Sequence, residues 1–306
     1  MRKVFLASTA LVALTSVASA ADITLSGDSV FNYTSISDST AYGAGKDGNS
    51  MAIDGNLSVS STATSDSGLT YTTAYDVDGD SADLSISGDF GTVKIDGGSD
   101  GLGASGEMSG DVAADETTGI TTIPFDGDSA VAGGFLSYAS PSIGGANVYL
   151  GYTDAGADND NATTVYSIKY ATEAAGASVT VGYAASSADT AETDTTSMGV
   201  KISSGDLALT AALNTKKIGS SADYSGTSVG LTYAVSDAMA IQMHQKNAEN
   251  DKDSTYDYSE SAISATYTIA PGLTSAITYT SYELSPNSGA AKQDGSATNV
   301  ELKVAF

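Results

Sequence analysis

With one histidine, no cysteine and no tryptophan, this chain of 306 residues has few groups suited to catalysis. His244 stands between Gln242 and Lys246 at alternate positions, which places all three on one polar strand face. A nucleophilic centre needs a Ser or Cys with a base beside it. No Ser neighbourhood has that form, so His244 reads as a wall residue. Gly101, Gly103 and Gly106 spell G-x-G-x-x-G, but no helix follows to complete a dinucleotide site. Asp76, Asp78 and Asp80 resemble the start of a calcium loop whose twelfth position, Ser87, lacks the bidentate acid. No cofactor and no built metal site is expected; acid-rich connections either hold Ca²⁺ loosely or are solvated charge. What stands out is residues 97–132, which carry seven acids (Asp100, Glu107, Asp111, Asp115, Glu116, Asp126, Asp128) and no base.

Those acids lie in a stretch with no helical or strand period, and a structureless loop of that length inside a compact fold is functional or disordered. Strands must position it. Ile23, Leu25, Phe31 and Tyr33 alternate with Thr24, Ser26, Asp28 and Asn32, the period-two pattern of a strand with unlike faces. The pattern recurs in sixteen segments, among them Met51-Ile53-Leu57-Val59, Leu136-Tyr138, Val229-Leu231-Tyr233 and Val300-Leu302-Val304-Phe306. Before them, Arg2 and Lys3, an apolar run over 4–14 and Ala18-Ser19-Ala20 predict a cleaved secretory signal at 1–20. The apolar run is too short for a membrane anchor. The remaining 286 residues carry ten Lys, no Arg and 37 acids, a formal charge of 10 − 37 = −27. Such a chain lacks the basic face nucleic acid requires. Without Cys, it is stabilised neither by disulfides nor by thiolate metal sites.

The connections alternate in length. Short ones fall at 64–68, 88–91, 141–146, 173–177, 203–206, 236–238 and 271–272. Long ones fall near 37–49, 97–132, 155–162, 186–195, 215–226, 247–257 and 285–296, with 78–81 a short exception. Even strand number with tight turns at one end and longer loops at the other is the pattern of a transmembrane antiparallel β-barrel. A soluble sandwich of sixteen strands needs two cores and a linker, and none is visible. The polar parity is small (Ser, Thr, Gly, Asp, Asn) rather than long and charged. Tyr gathers on the apolar parity, at 33, 71, 75, 138, 152, 166, 170, 183, 233, 267 and 279, as in interfacial aromatic girdles. Closure also removes free edges. A secreted adhesin or surface-layer protein shares the acidic composition but calls for fixed repeats, and none is seen. A barrel enzyme calls for a Ser and His in register.

Ile-Thr-Leu-Ser-Gly-Asp at 23–28, Gly88-Asp89-Phe90-Gly91-Thr92-Val93-Lys94, Phe135-Leu136-Ser137-Tyr138-Ala139-Ser140-Pro141 and the terminal Phe306 occur in the order and spacing of a known family. The chain resembles the Gram-negative general diffusion porins, its alphaproteobacterial branch above all. The resemblance implies a trimer of 16-stranded barrels in the outer membrane, each narrowed by an in-folded third loop. It implies passive diffusion of small hydrophilic solutes without catalysis, and assembly machinery that recognises Phe306. It also implies a constriction with acids on the loop facing Arg and Lys on the wall. This chain has no Arg after residue 20, and Ser137 stands where the family motif carries one.

The expected constriction therefore sets the loop acids Asp100, Glu107, Asp111, Asp115 and Glu116 against a wall carrying Asp28, Asp54, Asp83, Asp96 and Ser137. Lys94, Lys169, Lys201 and Lys246 share the lumen parity, either lining the pore or balancing nearby Asp. The expected function is an outer-membrane channel preferring cations, with membrane lipid and two further copies as partners.

Overall fold

The computed structural model describes residues 22–38, 48–77, 81–96, 102, 109, 112–113, 123, 125–127, 134–153, 162–189, 192–287 and 291–306. The expected signal at 1–20, the two decoys' Gly101, Gly103, Gly106, Asp78 and Asp80, and the acids Asp100, Glu107, Asp111, Asp115, Glu116 and Asp128 lie outside these residues.

Sixteen strands close into one barrel, each hydrogen-bonded antiparallel to its sequence neighbours, with the last returning to the first. They are β1 Asp22–Asp38, β2 Gly48–Thr64, β3 Thr70–Asp76, β4 Ser81–Gly88, β5 Gly91–Asp96, β6 Leu136–Ala139, β7 Ala146–Thr153 and β8 Thr163–Ala174. The second half comprises β9 Ala177–Ala188, β10 Thr193–Ser204, β11 Leu207–Ile218, β12 Ala222–Ser236, β13 Met239–Asn250, β14 Asp257–Ala270, β15 Leu273–Ser285 and β16 Gln293–Ala305. Closure pairs the ladder groups that lipid could not satisfy. Strands β3 to β7 are 4 to 8 residues long, while the other eleven are 12 to 17, so the wall is low on one side.

The two faces invert the order of a soluble protein. Small polar residues such as Ser137, Ser197, Ser228, Thr278 and Thr280 are buried on the inward parity, and Leu25, Leu150, Leu213, Val229 and Ile277 are exposed on the outward one. This is what lipid outside and water or loop inside demand. The turns are tight. Ala175 and Gly176 both take positive φ (52° and 80°) in the two-residue β8–β9 turn, as a primed hairpin requires. At the β14–β15 turn a side chain on Gly272 would put Cβ 2.4 Å from the Ala305 carbonyl oxygen.

Five loop-end connections are shorter than the apolar alternation predicts, those at 39–47 and 286–292 among them. In the other three, only residues 189–192, 219–221 and 251–256 separate the strands. On β12 the outward face runs Val235, Tyr233, Leu231, Val229 and then Thr227, Ser225, Asp223; on β13 it runs Ile241, Met243 and then Gln245, Asn247, Glu249. Above the lipid belt both faces meet water, so the alternation disappears from the sequence while the hydrogen-bonded ladder continues.

Candidate functional site

The long loop leaves β5 and rejoins the wall at β6, and its described residues lie inside the barrel. Ser137 is buried on the inward face of β6, where its Oγ accepts the Leu102 N–H at 2.8 Å. Across the bore, His244 on β13 accepts the Ala113 N–H at Nδ1, 3.4 Å away. Strands β6 and β13 are seven places apart in a ring of sixteen, so these contacts sit almost diametrically opposite. Gly134 then lies against β7, and the Phe135 N–H donates to Thr153 Oγ1 at 2.8 Å.

The returning leg is seated on an aromatic patch. Phe125 is buried with Tyr224, Tyr256, Tyr258, Tyr282 and Leu284. Its ring centroid lies 5.8 Å from that of Tyr224, which in turn lies 5.1 Å from that of Tyr256. The Tyr256 hydroxyl accepts the Phe125 N–H at 3.3 Å and donates to the Phe125 carbonyl. Burial pushes the Tyr256 phenol well above its ordinary range, so it stays neutral and keeps both roles. Asn214 Nδ2 donates to the Gly127 carbonyl at 2.9 Å. Gly226 on β12 admits this approach: a Cβ there would fall 2.3 Å from the Gly127 Cα and 2.9 Å from Phe125 Cε1.

Beside the seat is a buried charge cluster. Glu260 on β14 accepts from Lys246 Nζ at 2.8 Å and from the Tyr258 hydroxyl at 2.6 Å, and lies 3.0 Å from His244 Nε2. Because Nδ1 accepts from Ala113, the His244 proton sits on Nε2 and is donated to Glu260. Lys246 also reaches the loop, 3.5 Å from Asp126. The wall thus grips the loop with a cation held by a carboxylate behind it.

The wall residues expected from sequence are distributed around the ring. Lys94 on β5 pairs with Asp83 on β4 at 3.3 Å and with Asp96 on its own strand. Asp28 on β1 pairs with Lys303 on β16 at 3.0 Å. Asp54 occupies the inward parity of β2, Lys169 that of β8 and Lys201 that of β10. The structure therefore groups Asp83, Lys94 and Asp96, and places the other wall residues on separate strands. Ser137 faces inward and serves as a loop anchor.

Inward charges are sorted by sector. Strands β14 to β16 and β1 to β5 carry Asp28, Asp54, Asp76, Asp83, Asp96, Glu260 and Glu301 beside Lys94 and Lys303. Strands β8 to β13 carry Lys169, Lys201, Lys216 and Lys246, with Glu173 an exception at the turn end. The sequence reading missed Glu260 and the aromatic seat, and named Asp126 as a loop acid without placing it at a contact with the wall. A partial signal existed: Lys246 and Glu260 both fall on the polar parity a few residues either side of the β13–β14 connection, and they are direct ladder partners.

The model of the Gram-negative porin family matches residues 7–287. A search of curated protein sequences finds no match. Among solved structures, a porin refined at 1.8 Å resolution is similar with a TM-score of 0.66 and 16% identity, over 93% of this chain and 100% of that one. The anion-selective porin from Comamonas acidovorans is similar with a TM-score of 0.63 and 14% identity, over 94% and 100% of the two chains. The trimer form of OmpT, an outer membrane protein of Vibrio cholerae, has a TM-score of 0.65 and 11% identity, over 94% and 99%. At these identities the structural likeness establishes the fold, while the family match spans most of the sequence. The chain belongs to the Gram-negative porin family.

Proposed function

We propose that this porin is a homotrimeric outer-membrane channel through which small hydrophilic solutes and ions diffuse passively, with a preference for cations. The observation that carries the channel reading is the loop held against opposite inner walls at Ser137 and His244, which narrows the bore. Export relies on residues 1–20 as a cleaved signal, and Phe306 is the residue read by the assembly machinery. The low wall over β3 to β7 and the trimeric relative support threefold assembly.

The cation preference rests on charge. A chain of −27 after residue 20, with Asp100, Glu107, Asp111, Asp115 and Glu116 on the loop and Asp28, Asp54, Asp83 and Asp96 on the wall, enriches cations at the constriction. Fold does not decide the sign, since the relative from Comamonas acidovorans is anion-selective. Reversal potentials across a planar bilayer under a KCl gradient test the reading. A K⁺-favouring potential is expected; a Cl⁻-favouring one refutes the preference and leaves the channel intact.

A further inference from the structure

One ladder row climbs out of the lipid belt. It runs Val181, Val200, Ala211 and Val229 across β9 to β12, then Gln245 on β13. It continues as Ser261, Ser281, Ser296 and Ser37 on β14, β15, β16 and β1. All of these residues share the outward parity. Because barrel strands tilt, a row perpendicular to them changes depth, and this one passes from the apolar band to its loop-end border. The row beneath it on β14 and β15 is Ile263 and Tyr279, both exposed, still the belt and its aromatic edge. The row above is Ser259, Glu283 and Asp294.

Four short side chains side by side, with a tyrosine below and longer acids above, leave a trough on the outside of the barrel. Its volume is about 590 Å³, and all four serines, Tyr279, Glu283 and Asp294 line it. Ladder partners stand about 5 Å apart at Cβ, so the hydroxyls form a continuous strip. Ser261 Oγ donates to Gln245 Oε1, while the hydroxyls of Ser37, Ser281 and Ser296 have no partner among the described residues. A hydroxyl can both donate and accept. At the loop-end rim Lys292 Nζ lies 2.5 Å from Glu283 Oε1, so this lysine is already held by a carboxylate. Among the described residues, no Lys or Arg lines the trough itself.

We infer that the trough binds the uncharged sugar headgroup of an outer-leaflet glycolipid. Position supplies the lipid. The trough opens at headgroup level, with Ile263 and Tyr279 just below, so a lipid whose chains lie on the belt brings its headgroup to the serines. Chemistry selects the headgroup. Sugar hydroxyls match a strip that donates and accepts, and the carboxylates of Glu283 and Asp294 accept further hydroxyl protons. The same carboxylates repel a phosphate, and no described lining base attracts one. The inference rests on the outer-membrane barrel reading and adds a ligand on the outside of a channel whose proposed function lies inside.

Native mass spectrometry of the full chain in detergent tests it, with diglucosyl diacylglycerol, phosphatidylglycerol and phosphatidylcholine of matched acyl chains added in turn. Expected is retention of diglucosyl diacylglycerol above both phospholipids. Ser281→Val with Ser296→Val removes two hydroxyls and keeps a good strand surface, and should weaken that retention roughly tenfold. Single-channel conductance should stay at the wild-type value in this variant, since both positions face away from the lumen. Equal retention of the three lipids, preferential retention of phosphatidylglycerol, or retention unchanged by the double variant overturns the inference and leaves the channel reading intact. A folded wild-type protein without conductance overturns the channel reading and not the lipid site. Displacement by the free disaccharide at the lipid's own concentration would make the occupant a soluble glycan and also overturns the inference. Should the double variant lose its heat-modifiable migration, Ser296→Cys provides a unique thiol in a chain that has none. Its maleimide labelling should slow in phosphatidylcholine vesicles containing diglucosyl diacylglycerol relative to phosphatidylcholine alone, and equal rates overturn the inference.

Discussion

Replacing Phe125 by alanine removes the side chain that seats the returning leg of the loop, and the barrel ladder does not depend on it. The ring is 5% exposed and packed against Tyr224 and Tyr256. Deleting a buried phenylalanine side chain costs about 3–5 kcal/mol. This seat borders the lumen and can take up water, so the low end, about 3 kcal/mol, applies to the loop rather than to global unfolding. At RT of about 0.59 kcal/mol that lowers the ratio of seated to unseated loop roughly 100-fold. The Asn214–Gly127 and Lys246–Asp126 contacts remain and limit the excursion. Hydrogen exchange measured by mass spectrometry should show faster deuterium uptake over residues 123–127, with strands β8 to β16 unchanged. Single-channel recordings should show greater open-state noise. Wild-type uptake and wild-type noise together would refute the assignment of Phe125 as the anchor.

Other perturbations separate the remaining parts of the site. Lys246→Met leaves Glu260 buried without its cation and should destabilise the barrel by about 3 kcal/mol in urea, while Lys246→Met with Glu260→Gln should recover most of that loss. Alkaline pH should loosen the seat. The Tyr256 phenol is raised in the folded state, so its stabilisation is complete below the ordinary tyrosine value near 10 and is lost as pH climbs through the folded value. Hydrogen exchange over 123–127 at rising pH should follow that loss, and Tyr256→Phe should flatten the dependence. Asp54→Asn with Asp76→Asn should reduce the cation preference and Lys169→Gln with Lys201→Gln should increase it; reversal potentials unmoved by both pairs would mean that passing ions do not sense the wall.

The barrel was legible because lipid imposes one rule on every outward position, and the rule shows as alternation from Ile23 to Phe306. It stopped being legible where Thr227 follows Val229 and Gln245 follows Met243, since a ladder in water places no demand on either face. Parity placed Asp83, Lys94 and Lys246 on the wall but not the meeting of Lys246 with Glu260, which depends on cross-strand register. Ser137 stood out as a missing Arg, whereas its hydrogen bond to Leu102 depends on the path of the loop. The seat left a trace that the girdle pattern hid. Most tyrosines lie on the outward parity, but Tyr224, Tyr258 and Tyr282, like Tyr149 on β7, occupy an inward parity made mostly of small residues.

That exception links packing to permeation. A wall of Ser, Thr and Gly offers the loop little apolar area, so the loop must settle where inward aromatics gather, on β12 to β15. The same neighbourhood holds Lys246 and His244, and β11 with Lys216 adjoins it, followed round the ring by β10 with Lys201 and β8 with Lys169. Carboxylates dominate the inward parity of β1 to β5, away from the aromatic seat. Packing holds the returning leg of the loop, at Phe125, on the aromatic side. On the proposed reading, cations are drawn by the acids of β1 to β5 while Phe125 holds the loop, so the Asp54 and Asp76 variants should alter selectivity without altering the hydrogen exchange of the seat.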